Sequence, residues 1–315
     1  MRTVHSVINR SNRKLLHELI LVDDASGRTF LKHDLDVYMK TLSNQSTIGI
    51  RILRTNKRVG LIQSRIIGAN VATGTVLTFL DAHCETTNGW LEPLLDPIAK
   101  DSSVVTCPVI DIINDQTFAY SRSFDAHWGA INWGLSFRWF SLGQKELKQM
   151  RMANYDDTST FRTPIMAGGL FSIDRQYFFD MGLYDPHLNI WGGENIEMSL
   201  RVWQCGGRIE IAPCSHVGHL FRSSSPYTFG EKQVGDVLYG NLIRVAEVWL
   251  DQWKDFFYKM NPTAKSILDH NRTEVLVNIT ERIELRQRLR CKSFQWYLDN
   301  IWPGLLDHNR SFLLN

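Results

Sequence analysis

Asp81-Ala82-His83 closes the apolar run Thr75-Val76-Leu77-Thr78-Phe79-Leu80, so a carboxylate and an imidazole stand two residues apart at a predicted strand end. Side chains at i and i+2 of a strand share a face. Such a pair can hold a divalent cation and leave positions open for phosphate oxygens. Mixed oxygen and nitrogen ligation suits manganese or zinc, and the lack of thiolate ligands favours manganese. Read without a metal, the same three residues are a capped turn with an exposed histidine. A third ligand is offered by His219 or by His216 in Cys214-Ser-His-Val-Gly-His, and spacing does not choose between them. Asp23-Asp24 ends a second apolar run, Glu18-Leu-Ile-Leu-Val22. A carboxylate there accepts hydrogen bonds from a ribose or a base, or caps the next helix. Trp191-Gly-Gly-Glu194 combines an aromatic, two flexible residues and an acid at a helix start. That is a lid over a carboxylate kept ionised by the helix dipole, or a packed tryptophan before an acid-capped helix. Arg58, Arg65 and Arg222 can neutralise phosphate charge, or be solvated arginines.

These residues need a frame. Apolar runs of strand type at 18–22, 48–53 and 75–80 alternate with helical spacing at 30–42 and 60–72, and Gly74 stops the second helix. Strand–helix alternation predicts a mostly parallel sheet with helices on both faces, with ligands beyond the carboxyl ends of the strands. Both aspartate-rich turns fall there. The second half begins with an aromatic-dense stretch from Phe118 to Phe140. A polar segment at 141–162, a strand at 167–173, a helix from Trp191 to Gly206 and a strand at 208–212 follow. The last ninety residues carry helical patterning.

Of 315 residues, 43% are hydrophobic and 22% charged, which excludes disordered, collagen-like and coiled-coil classes. The formal charge of +2 contains no basic block, so no nucleic-acid footprint is expected. No apolar window is long enough to span a bilayer, and the first eight residues lack the apolar core of a leader. Five Asn-x-Ser/Thr sequons, at Asn9, Asn44, Asn271, Asn278 and Asn309, point the other way, towards a lumenal setting. The five cysteines form no CxxC cage and cannot all pair.

Taken in order, Leu-Ile-Leu-Val-Asp23-Asp24-Ala-Ser, Arg58-Val-Gly-Leu-Ile-Gln-Ser-Arg65, Thr-Phe-Leu-Asp81-Ala-His83-Cys-Glu, Trp90-Leu-Glu-Pro-Leu-Leu, Ala167-Gly-Gly-Leu-Phe, Trp191-Gly-Gly-Glu194-Asn and Cys214-Ser-His-Val-Gly-His219 resemble the catalytic domain of polypeptide N-acetylgalactosaminyltransferases. The likeness runs over nearly the whole chain. It implies an α/β fold of the GT-A type and retaining transfer of N-acetylgalactosamine from UDP-GalNAc to Ser or Thr of polypeptides. That reaction begins mucin-type O-glycosylation in the Golgi lumen. It also implies Mn2+ held by Asp81, His83 and His219, which favours His219 over His216. Donor contacts are implied for Asp24, Arg58, Ala82, Trp191, Arg222 and Tyr227. Glu194 and Trp191 are implied beside the reacting sugar, and a disulfide between Cys205 and Cys291. Four segments follow from the likeness: a nucleotide-sugar half at 1–110, an aromatic-rich connector at 111–160, a catalytic and acceptor half at 161–230 and a helical segment at 231–315, without a lectin domain.

The resemblance also places one further strand ahead of Met1, between those ending at Asp24 and Asp81, and a partner for Cys214 in the same region. Without that strand the two neighbours are expected to lose a common hydrogen-bonding partner, at on the order of 1–3 kcal/mol for each buried orphan. This supports a second reading, a catalytically impaired relative that acts by binding. Ser225 stands where the family often has His, removing one diphosphate donor.

Overall fold

The computed structural model describes residues 1–123, 127–143, 148, 156–222, 229 and 233–307. Helix α1 (Arg2–Arg10) buries Val4, Val7 and Ile8, the i, i+3, i+4 stripe of an amphipathic helix. After it, β1 (Glu18–Asp23), α2 (His33–Ser46), β2 (Gly49–Arg54), α3 (Leu61–Val71) and β3 (Val76–Leu80) alternate as the sequence pattern predicts. Strands β1 and β2 pair in parallel from Glu18↔Gly49 to Asp23↔Arg54, with α2 as the crossover that parallel pairing needs.

Beyond Leu80 the pattern changes. The chain continues through β4 (Cys84–Thr86), α4 (Glu92–Lys100), β5 (Val104–Ile113), β6 (Tyr120–Ser121), β7 (His127–Ile131), β8 (Phe137–Ser141), β9 (Phe161–Arg162), β10 (Leu170–Asp174), α5 (Arg175–Asp180), α6 (Glu194–Gln204) and β11 (Arg208–Leu220). The main sheet has the order β3-β10-β5-β11-β4, with β6 on β5 and β9 on β11. Only β5 and β11 run parallel in it; the other pairs are antiparallel. The sheet is therefore mixed rather than mostly parallel. Only β5–β6 joins consecutive strands; the other antiparallel pairs, β3–β10, β10–β5, β11–β4 and β11–β9, join strands distant in the chain, whose direction the strand–helix alternation of the first half does not set. Among the described residues, the strands that end at Asp23 and Leu80 share no strand neighbour: β1–β2 is a separate two-stranded sheet.

Helix α1 joins the two sheets. Val4 and Ile8 pack with Met39, Leu42 and Ile48, while Val7 packs with Trp90, Leu94, Leu170 and Val217. The second half closes on helices α7 (Val234–Trp249), α8 (Lys254–Met260), α9 (Pro262–Val275), α10 (Ile279–Arg288) and α11 (Phe294–Asn300). Trp249, Phe257, Phe294 and Tyr297 from these helices share one core with Phe171, Ile173, Leu200 and Trp203. Cys205, after α6, is bonded to Cys291, before α11, with S–S 2.00 Å.

Candidate active site

Strands β3 and β4 lie at opposite ends of the main sheet's order, yet only Asp81, Ala82 and His83 connect them. These residues form a turn, not the end of a strand, so the shared-face argument does not apply. Sheet register brings the candidate ligands together instead. His219 lies opposite Cys84 in the β11–β4 ladder, and the Leu220 amide donates to the His83 carbonyl at 3.1 Å. Beneath the turn, Thr3 of α1 holds the Ala82 carbonyl at 2.9 Å and the Cys84 amide at 3.1 Å.

Asp81, His83 and His219 each present one ligand atom within 4.8 Å of the others. His219 Nε2 stands 3.4 Å from Asp81 Oδ2, and its buried Nδ1 has no hydrogen-bond partner among the described residues. Burial pushes the His83 imidazole down to about 4; His219 and Arg222 push the same way and Asp81 opposes. The ring is thus neutral at pH 7 and able to ligate. Burial acts to raise the Asp81 carboxyl, but His219, Arg65 and His83 outweigh it and hold it below the usual range. One ionised carboxylate and two imidazoles make a mixed oxygen and nitrogen set without thiolate, which fits a divalent cation such as Mn2+. His216 is engaged elsewhere: its Nδ1 lies 3.0 Å from Asp111 Oδ2, and both residues are buried.

Arg65 is not available to phosphate. Its side chain is only 7% exposed, and its guanidinium donates to Asp81 Oδ1, Gly168 O, Gly169 O and Tyr184 Oη. The role of Tyr184 had no signal in the sequence. The glycine pair has steric reasons. Gly168 has φ +88° against Asn195, and a Cβ on Gly169 would stand 2.8 Å from Asp81 Oδ2.

Glu194 opens α6 and is buried, accepting a hydrogen bond from the Gly192 amide at 2.8 Å. Burial pushes its carboxyl above the ordinary range, with Arg65 and the amides of Glu194 and Gly192 pulling it back. The expected dominance of the helix dipole is thus replaced by desolvation. Trp191 stays 37% exposed, while its loop is stapled from α7 by the buried Asn241, whose Nδ2 donates to Gly192 O at 2.8 Å.

Asp24 spends both oxygens on the chain itself. Oδ1 accepts from Val59 N at 2.7 Å and Thr55 Oγ1 at 3.0 Å, and Oδ2 from Gly60 N at 2.8 Å. It shapes the loop that carries the exposed Arg58. Ala82, His83, Arg2, Phe118, Leu220 and Arg222 line a cleft of about 500 Å³ beside the ligand cluster. Tyr227 and Ser225 lie outside the described residues.

Comparison with known proteins identifies this architecture as that of a glycosyltransferase. Residues 1–178 match "Glycosyl transferase family 2" and residues 149–223 match "N-terminal domain of galactosyltransferase". The chain belongs to glycosyl transferase family 2. It is similar to polypeptide N-acetylgalactosaminyltransferase 3 of Drosophila melanogaster, 54% identical over 96% of this chain and 44% of that protein. Human polypeptide N-acetylgalactosaminyltransferase 13 is 51% identical over 96% of this chain and 52% of its own length. The chain spans about half the length of these relatives. The crystal structure of GalNAc-T7 with UDP, GalNAc and Mn2+ superposes with TM-score 0.86 at 39% identity, over 97% of this chain and 55% of that one. The fold is therefore of the expected GT-A type. Staphylococcus aureus TarS with UDP-GlcNAc, TM-score 0.52 at 11% identity over 91% of this chain and 75% of that one, shares the fold alone.

Proposed function

We propose that this chain is the catalytic domain of a polypeptide N-acetylgalactosaminyltransferase, moving N-acetylgalactosamine from UDP-GalNAc to Ser or Thr of a protein with retention. The observation that carries the reading is the clustering of Asp81, His83 and His219, in a fold that superposes on a relative crystallised with UDP, GalNAc and Mn2+. When bound, Mn2+ supplies Lewis-acid stabilisation of the departing diphosphate. Arg222, exposed just past the end of β11, adds positive charge on the same side, and Asp24 orients the loop of Arg58 towards the nucleotide. Ala82 lies against the sugar nucleotide, and Trp191 covers it. Tyr227 is assigned to the diphosphate with Arg222. In the transfer the bond from C1 to the phosphate oxygen breaks and a bond from C1 to the acceptor oxygen forms on the same face. The acceptor proton passes to the departing phosphate. Glu194 is then a positioning group and not a nucleophile, in keeping with its burial. Residues 1–110 hold the donor, 111–160 connect, 161–230 complete the catalytic and acceptor face, and 231–315 brace it. A Golgi-lumenal setting is consistent with the Cys205–Cys291 bond, which persists in oxidising compartments.

One observation favours the second reading, a relative that binds without turnover: among the described residues no strand ladder joins the β1–β2 sheet, whose β1 leads into Asp24, to the sheet of β3, which leads into Asp81. The test incubates the folded chain with UDP-GalNAc, MnCl2 and a Ser/Thr peptide and looks for N-acetylgalactosaminyl-peptide by mass spectrometry. Product that disappears in Asp81→Ala supports the transferase. Donor binding without product supports the second reading.

A further inference from the structure

We infer that Arg65, with Gly169 opposite it, is a positioning clamp that decides which oxygen of Asp81 faces the metal and thereby sets the affinity of the site for its cation. This deepens the metal-site reading above and rests on it. The two oxygens of Asp81 have separate surroundings. Oδ1 accepts from Arg65 Nη2 at 3.0 Å, whereas Oδ2 faces His219 Nε2 at 3.4 Å. Oδ2 is therefore the oxygen turned towards the other two ligands. A Cβ on Gly169 would stand 2.8 Å from it, so a side chain there would force Oδ2 to shift.

The guanidinium is itself fixed from three sides. Nη1 donates to Gly168 O at 2.6 Å and to Tyr184 Oη at 3.2 Å, and Nη2 also donates to Gly169 O at 3.2 Å. Phe79 and Phe171 flank it, with ring centroids 5.6 and 5.9 Å from Cζ. A planar fork can satisfy an acid, two carbonyls and a hydroxyl together, and a lysine ammonium at the same place cannot. Partners that orient a ligating carboxylate typically change metal affinity by about 10–100-fold when lost.

Manganese alone is the probe. The whole chain, H219A, R65K and G169A are titrated with Mn2+, and free aquo-manganese is followed by electron paramagnetic resonance, with circular dichroism reporting folding. R65K keeps the buried charge and loses the fork. G169A leaves Arg65 intact and presses on Oδ2. Each is expected to weaken binding by about 10–100-fold. Their combined loss should fall short of the product of the two, because both act on one carboxylate. Either single variant, folded and binding Mn2+ as tightly as the parent, overturns the inference while the loss in H219A keeps the site reading intact. If R65K does not fold, G169A alone decides. A parent chain that binds no Mn2+ overturns the site reading itself.

Discussion

Glu197 lies one turn into α6, the helix that begins at Glu194, and it is the acid shared by two buried cations. Arg201 Nε and Nη2 reach its two oxygens at 3.0 and 2.9 Å, and Arg282 Nη2 from α10 reaches Oε1 at 2.9 Å. Burial opposes its ionisation, but Arg201 and Arg282 outweigh this and hold the carboxyl at about 2 against an ordinary 4.5. A folded-state value below the unfolded one contributes stability that is fully present above the unfolded value and is lost as pH falls through the folded one. At about 1.4 kcal/mol per tenfold change, Glu197 contributes ~3 kcal/mol at pH 7 and roughly half of that at pH 3. Glu197→Gln mimics the protonated acid, so its destabilisation should follow that curve, from ~3 kcal/mol at pH 7 to about half at pH 3. Breaking such a pair by removing one partner independently suggests ~3–5 kcal/mol. Urea unfolding followed by tryptophan fluorescence at both pH values measures the difference directly. A difference below ~1 kcal/mol at pH 7, or one equal at pH 7 and pH 3, would refute the electrostatic account.

Three further outcomes follow from the site and its supports. His219→Ala should lower glycopeptide formation at least ~100-fold, since a direct ligand outweighs its outer partners, with the thermal midpoint little changed. Cys205→Ser with Cys291→Ser opens a loop spanning 86 residues, which the chain-entropy estimate puts at no more than ~4.6 kcal/mol; about 2–4 kcal/mol is expected in denaturant unfolding. Gly60→Ala would drive a Cβ into the Ile190 main chain at φ +89°, so it should destabilise by more than ~2 kcal/mol in the same assay and disturb the Trp191 loop alongside.

The positions of strands β1 to β3 were readable because each apolar run is bounded by turn residues and separated by helical spacing. Strand β5, central to the main sheet, was not. Val104–Ile113 is a near-continuous apolar run with Pro108 inside it, and a proline argues against an interior strand. The structure accommodates it with a register shift in β11 between Ala212 and His216, immediately after the partner of Pro108. The same irregularity explains why the sequence suggested a short strand at 208–212 where β11 continues to Leu220. It also bears on the choice between two histidines. Past the shift, His216 lies opposite Val109 and is held by Asp111, while His219 lies opposite both Ile112 and Cys84 and so reaches the turn of His83. The pairing of Asp81 with His83 was legible for a reason that proved local and incomplete, because a turn and not a strand face presents them. Arg65 shows the larger limit. Its type suggested phosphate, but its function depends on burial among Asp81, two carbonyls and Tyr184, contributed by segments over a hundred residues apart. Chemical type can nominate such a residue, but only tertiary packing decides whether its charge serves a ligand or holds the groups that bind one.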